Sequence, residues 1–199
     1  MKRSPRSGPK KDEKTVAWPL PGDRIRRVPP PGSPGSFGED RGDRRHCGVD
    51  IRATFGSEVV SIDDGLVSEV GSFTEADVVP YWNETFYVIV EEDGGQFVKF
   101  AELGEVEVRA GDRIRSGQRL GRVGSVLDPE KIDDGSPSYI RRLKDEGQVS
   151  MLHLEIYRSR PEPSDLYRGG NWFGTGKPKG LIDPTSRLDA LSIQQDEAE

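Results

Sequence analysis

Ser150-Met151-Leu152-His153-Leu154-Glu155-Ile156-Tyr157 is the stretch that decides how this chain is read, because it holds one of only two histidines. The other histidine lies in His46-Cys47-Gly48-Val49-Asp50-Ile51. If both stretches are β-strands, side chains alternate between faces, so His46 shares a face with Asp50, and His153 shares one with Met151 and Glu155. Two imidazoles and one carboxylate form the ligand set of a zinc site with one coordination position open. That open position separates a catalytic metal from a structural one.

Composition narrows the setting. A chain of 199 residues is long enough for one domain with a real core and too short for two ordinary ones. With 24 glycines, 15 prolines and only 32% hydrophobic residues, it reads as a loop-rich β protein rather than a helical bundle. The net charge of −6 gives no electrostatic case for nucleic acid as a partner. Arg26-Arg27, Arg44-Arg45 and Arg141-Arg142 are read as solvated surface. Cys47 is the single cysteine, which excludes an intrachain disulfide, and alternation turns it away from the metal face. The basic N-terminus has no apolar run, so no signal peptide, membrane anchor or membrane partner is expected; the chain is expected in the cytoplasm unless another route exports it.

Residues 1–35 form a lead-in, disordered at first and then extended around Pro29-Pro30-Pro31-Gly32-Ser33-Pro34-Gly35, with Trp18 as its anchor on the domain. The domain is expected over 36–191. Glu58 to Ile62 and Leu66 to Gly71, joined by Asp63-Asp64-Gly65, read as a hairpin. Phe86 to Val90 suits a central strand, turned back by Asp93-Gly94-Gly95 into Gln96 to Ala101. Glycines 111, 117, 121 and 124 cut the next stretch into short strands. Residues 128–149 read as an insertion with a short helix, capped by Ser136 ahead of Pro137, stopped by Gly147 and turning Tyr139, Ile140 and Leu143 inward. The 159–180 loop, with Trp172 and Phe173, is either a wall over the metal face or disordered. A last short helix starts at Asp183-Pro184, and 192–199 is an acidic tail.

Several motifs recur here in a fixed order. Phe37-Gly38, Arg45-His46-Cys47-Gly48-Val49-Asp50-Ile51, Gly65-Leu66-Val67, Phe100-Ala101-Glu102-Leu103, Gly111-Asp112 with Gly117-Gln118, and Leu152-His153-Leu154-Glu155-Ile156 together resemble the lysostaphin-type zinc metalloendopeptidases, over roughly residues 36 to 188. The resemblance implies a mainly β fold: a compact antiparallel β-sheet or barrel-sandwich of the lysostaphin-like, duplicated hybrid motif type, with one or two short helices. It implies zinc held by His46, Asp50 and His153, and a peptidoglycan or similar Gly-rich peptide substrate cut by zinc-activated water. The family's two further histidines fall on Glu102 and Met151. Either Glu102 replaces one of them as general base while Met151 shapes an apolar pocket, or the site is degenerate and the domain is a zinc-containing module that binds a peptide or partner. Glu155 would partner an imidazole N–H rather than the metal. The Gly111 to Gly124 stretch also resembles carrier domains of the biotinyl and lipoyl type, but the chain has no lysine flanked by methionines to carry the group.

Overall fold

A computed structural model of the chain describes residues 16–196. Twelve strands and two α-helices follow in order: β1 (Arg44–His46), β2 (Val49–Arg52), β3 (Glu58–Val60), β4 (Gly65–Thr74), β5 (Thr85–Glu92), β6 (Phe97–Val106), β7 (Arg113–Ile114), β8 (Arg119–Val123), α1 (Ser138–Asp145), β9 (Met151–Tyr157), β10 (Tyr167–Arg168), β11 (Asn171–Phe173), β12 (Leu181–Ile182) and α2 (Thr185–Asp196). The fold is mainly β and antiparallel, as the sequence implies. The larger sheet runs β12-β9-β6-β5-β4-β7, with β2 also on β9 and β8 bridging β3 and β6. A small sheet, β1-β11-β10, stands beside it. No helix among the described residues is long and apolar enough to cross a membrane.

β9 is buried along its whole length and has two unlike faces. Leu152, Leu154 and Ile156 enter the main core with Val98 and Phe100 of β6, Val49 and Ile51 of β2, and Leu188 and Leu191 of α2. Each such side chain taken fully out of water contributes about 1.5–3 kcal/mol. Met151, His153, Glu155 and Tyr157 occupy the opposite face, where alternation puts them. The ladder pairs Asp50 with His153 across β2/β9 and Ala101 with His153 across β6/β9. Register, set by the apolar face, therefore fixes which polar residues meet on the other.

Three local expectations are corrected. Asp63-Asp64-Gly65 joins two strands that do not pair: β3 lies on β8, whereas β4 lies on β5 and β7. Asp64 Oδ1 accepts from the Ser116 amide at 2.8 Å, tying this turn to the glycine-rich stretch. Gly65 is needed for close approach, since a Cβ there would stand 2.5 Å from the Glu91 carbonyl oxygen. Secondly, Ser136 does not cap α1; its hydroxyl bonds to Asp133, and Pro137 precedes the helix without a side-chain cap. The stop is as expected, with Gly147 at φ 66° and the Gln148 amide donating to the Leu143 carbonyl. Thirdly, α2 continues to Asp196, into the segment read as a tail, because the Asp183 carboxylate caps its start and Leu188 and Leu191 anchor it.

The lead-in is built into the domain. Trp18 and Leu20 are each 1% exposed in the main core, and the Pro19 carbonyl accepts from the Val60 amide. The first fifteen residues lie outside the described chain. Tyr81-Trp82-Asn83 contributes to packing, with Trp82 in a satellite core beside Ile132 and Ile140.

Candidate metal centre

His46 and Asp50 do not sit on one continuous strand. β1 ends at His46 and β2 begins at Val49, in different sheets, so alternation cannot run through Cys47 and Gly48. The break is a close crossing: a Cβ on Gly48 would stand 2.3 Å from the Leu154 carbonyl oxygen and 3.0 Å from His153 Cε1. Only glycine fits there. The crossing nevertheless delivers both side chains to the same point. Cys47 turns into an apolar cluster with Ile89, Phe97, Tyr157 and Trp172, and burial pushes its thiol up.

The three expected ligands converge. His46 Nε2 lies 3.0 Å from His153 Nδ1 and 3.0 Å from Asp50 Oδ1, and His153 Nδ1 lies 2.9 Å from the same Asp50 oxygen. They are the one set of three metal-ligand side chains that meets this closely among the described residues. The outer nitrogens fix both rings. His46 Nδ1–H donates to the Ser36 carbonyl at 2.9 Å, and His153 Nε2–H donates to Glu155 Oε1 at 2.8 Å. His46 Nε2 and His153 Nδ1 are thus left to share the space with a carboxylate oxygen. Three lone-pair atoms packed this tightly repel unless a cation lies among them. Zinc bonds of 2.0–2.1 Å at tetrahedral angles place ligands about 3.3 Å apart, so a small outward shift admits the ion, and the two-nitrogen, one-oxygen donor set suits zinc.

In the chain alone a proton can do this work. Burial opposes charge on His153, but its hydrogen bonds to Asp50 and Glu155 outweigh it and raise the imidazole to about 9. His46 is pushed down by burial, against the pull of Asp50. Asp50 is held well below the usual carboxylate range: burial opposes this, but His46, His153 and Arg41 prevail. One proton on His153 Nδ1 then serves both Asp50 and His46. The sign follows from an unfolded value near 6.5: the stability this proton gives is present below about pH 6.5 and lost as pH rises through about 9. Zinc must displace it. Binding at pH 7 is expected to release about one proton per zinc, and affinity to rise roughly tenfold per pH unit until about pH 9. Calorimetry in buffers of different ionisation enthalpy measures this; zero protons released would contradict the assignment.

Residues invisible in the motif hold the ligands. Arg41 Nη2 donates to Asp50 Oδ2 at 3.1 Å, leaving Oδ1 for the trio, while its other nitrogens reach Asn171 and Glu39 at 3.0 Å. Glu155, fully buried, accepts from Tyr157 and Tyr167 hydroxyls at 2.6 Å each, and Lys99 Nζ donates to the Tyr167 hydroxyl at 2.8 Å. Despite burial, the Lys99 charge and the His153 and Tyr157 bonds hold Glu155 at about 2. Tyr157, two residues past Glu155 on the same strand face, was findable by alternation. Arg41, Lys99 and Tyr167 had no sequence signal.

The 159–180 segment is folded rather than loose: it contains the β10/β11 hairpin, whose Asn171 pairs with His46. Its Gly170, at φ 73°, presses on the ligand ring, since a Cβ there would come within 2.5 Å of His153 Cε1. Met151 is 4% exposed and lines a cleft of about 500 Å³ with Asp50, Pro29, Pro34, Tyr139 and Leu143, between the lead-in and α1.

Glu102 is the outlier. It is the extra residue of a β-bulge in β6, where Tyr87 pairs with Ala101 and Phe86 with Leu103. Its φ of 63° is the sole positive value at a non-glycine residue among those described. The side chain is 8% exposed, and Oε2 is buried without a hydrogen-bond partner. Burial and the neighbouring Asp50 raise its carboxyl to about 8, against His153 and Arg41.

An antiparallel sheet bearing a His-Asp-His trio is a candidate metal centre, with a donor set that suits zinc. Comparison carries this further: residues 44–137 match the model of Peptidase family M23. His46 and Asp50 fall inside that match and His153 outside it, so His153 joins the trio through the β2/β9 register. The chain is 31% identical over 110 residues to the cell division protein DipM of Caulobacter vibrioides (strain NA1000 / CB15N), covering 55% of this chain and 15% of that protein. Its fold is similar to the antimicrobial peptidase lysostaphin from Staphylococcus simulans, with TM-score 0.50 and 18% identity over 92% of this chain and 56% of that one. The chain thus spans a minor part of DipM and about half of lysostaphin. Residues 44–137 are similar to Peptidase family M23, and the fold as a whole is similar to that of lysostaphin.

Proposed function

We propose that this domain is a zinc metalloendopeptidase acting on peptidoglycan or a similar Gly-rich peptide. The observation that carries the proposal is the convergence of His46 Nε2, Asp50 Oδ1 and His153 Nδ1 within 3.0 Å, beside a buried carboxyl that no protein group satisfies. A zinc ion held by His46, Asp50 and His153 would supply polarisation of the scissile carbonyl and acidification of water. The protein's own groups do the rest. His46 and His153 present fixed tautomers, held by the Ser36 carbonyl and by Glu155. By the resemblance, Glu102 falls where the family has a histidine. A carboxyl poised at about 8 can take up or give back a proton at Oε2 near neutral pH, the property a general base requires. Positive backbone φ and an orphaned oxygen are local costs of the kind that collect at reacting positions. Met151 gives the cleft an apolar wall in place of a second histidine.

A second function is favoured by one observation: His46 is 0% and His153 2% exposed. A site closed that far also suits a zinc-stabilised module that binds a peptide or partner without cleaving it. Purified peptidoglycan and oligoglycine, incubated with the zinc-loaded chain, separate the two. The hydrolase is expected to release new amino groups, and a chelator to stop the release. Zinc at one equivalent with no new amines would leave the binding module.

A further inference from the structure

A cavity of about 480 Å³ lies on the site face of the sheet, beyond Glu155, walled by the rings of Phe73, Tyr87, Tyr167 and Trp172 with Lys99 among them. Lys99 is 7% exposed. Its Nζ stands 4.4, 4.5 and 5.2 Å from the ring centroids of Tyr167, Tyr87 and Phe73. An ammonium has three N–H donors. Among the described residues, the Tyr167 hydroxyl alone accepts from it.

No carboxylate of the described residues comes within ion-pair distance of Lys99. Glu155 faces it across the β6/β9 ladder but spends its oxygens on His153, Tyr157 and Tyr167. Glu69 is engaged by the Tyr87 hydroxyl and Arg160. At the cavity rim Glu162 is matched by Lys179 at 3.4 Å, while Lys177 adds a further positive charge above the Phe37 ring. Buried lysines are almost always paired, and three ring faces offset only part of the lost hydration. Two donors remain for a ligand, and the charge, which burial opposes and Glu155 supports across the ladder, has no directly paired carboxylate among the described residues.

We propose that this cavity is a carboxylate subsite, with Lys99 Nζ as its anchor and the aromatic walls holding the small residue that bears the carboxylate. The ligand is a peptide ending in a free C-terminal carboxylate or carrying an acidic side chain. That it is a peptide rests on the hydrolase proposal; that it is an anion rests on Lys99 and the rim. The pair Lys99/Glu155 is two ladder steps from the pair Ala101/His153 and on the same face. Peptide residues preceding the bound carboxylate are thereby brought toward the metal ligands.

Binding of acetyl-triglycine acid, its C-terminal amide, and acetyl-Gly-Asp-Gly amide to the zinc-loaded chain tests this by calorimetry. The acid is expected to bind at least tenfold more tightly than the amide, as a charge-assisted contact requires. Equal affinity of all three would overturn the subsite; tight binding of the aspartyl amide instead of the acid assigns the carboxylate to a side chain. Lys99→Met should reduce the preference to within twofold, and a folded Lys99→Met that keeps it overturns the anchor. If that variant fails to fold, Leu166→Trp, at a rim residue 53% exposed, decides in its place. A bulky ring there should close the cavity and abolish the preference, and its persistence would overturn the location. Acid-selective binding without cleavage sinks the hydrolase proposal and leaves the subsite; cleavage without acid selectivity does the reverse.

Discussion

His46→Ala is expected to weaken zinc binding more than hundredfold and to abolish cleavage. The imidazole supplies one of three protein ligands from a fully buried position, and no other histidine among the described residues can take its place. Loss of a residue that merely orients a metal ligand costs 10–100-fold in affinity, so loss of a ligand must exceed that. Stability gives a second readout. At free zinc a thousand times the wild-type dissociation constant, zinc stabilises the native chain by about 4 kcal/mol, and a hundredfold weaker site keeps about 1.4 kcal/mol at the same concentration. Competition with a chelating dye and thermal unfolding with and without zinc measure both. Glu155→Gln sets the scale: its carbonyl oxygen can still accept from His153 Nε2–H, so the loss should be near tenfold. Unaltered zinc affinity in His46→Ala would remove the proposed centre.

Glu102 should respond in opposite directions in two assays. Glu102→Gly is expected to lower hydrolysis at least hundredfold, because a general base contributes 10²–10⁴ in rate. The same change should leave the fold as stable or about 1–2 kcal/mol more stable. Positive φ costs an ordinary L-residue about 1–2 kcal/mol that glycine escapes, offset by about 0.5–1 kcal/mol from glycine's freer unfolded chain. Removing a buried carboxyl with an unpartnered oxygen adds to the gain. Glu102→Gln keeps the backbone strain, so its rate should fall without the gain in stability. The pH dependence has a definite sign. With the folded carboxyl at about 8 against an ordinary 4.5, its contribution to stability is present below about pH 4.5 and fades as pH rises through 8. Both variants should flatten that slope. A less stable Glu102→Gly with normal turnover would make the residue a structural device of the bulge.

The convergence of His46, Asp50 and His153 was legible because metal chemistry leaves few choices: with two histidines in the chain, any two-histidine site must use both. The route by which they meet was not. Alternation placed His46 and Asp50 on one face, yet the backbone breaks between them at a glycine forced by the Leu154 carbonyl, a contact more than a hundred residues away in sequence. The Asp63-Asp64-Gly65 hairpin failed for a related reason. Turn chemistry is local, but strand partners are settled by whichever apolar faces bury together, and β3 finds β8. Glu102 was marked as replacing an expected histidine, while its bulge, positive φ and orphaned oxygen depend on the neighbouring strands.

What the sequence determined by itself was the mainly β architecture, the likeness to lysostaphin-type peptidases and the choice of three candidate ligands, because apolar spacing and side-chain chemistry are local properties. Tertiary structure alone decided the environment of those ligands. Arg41 on Asp50, Gly170 against His153, and the Lys99-Tyr167-Glu155 chain behind the ring join residues up to 130 positions apart, as Arg41 and Asn171 do. Burial and the proton on His153 follow from that enclosure, since desolvation and Coulomb terms depend on every group packed around a site and not on its neighbours in the chain.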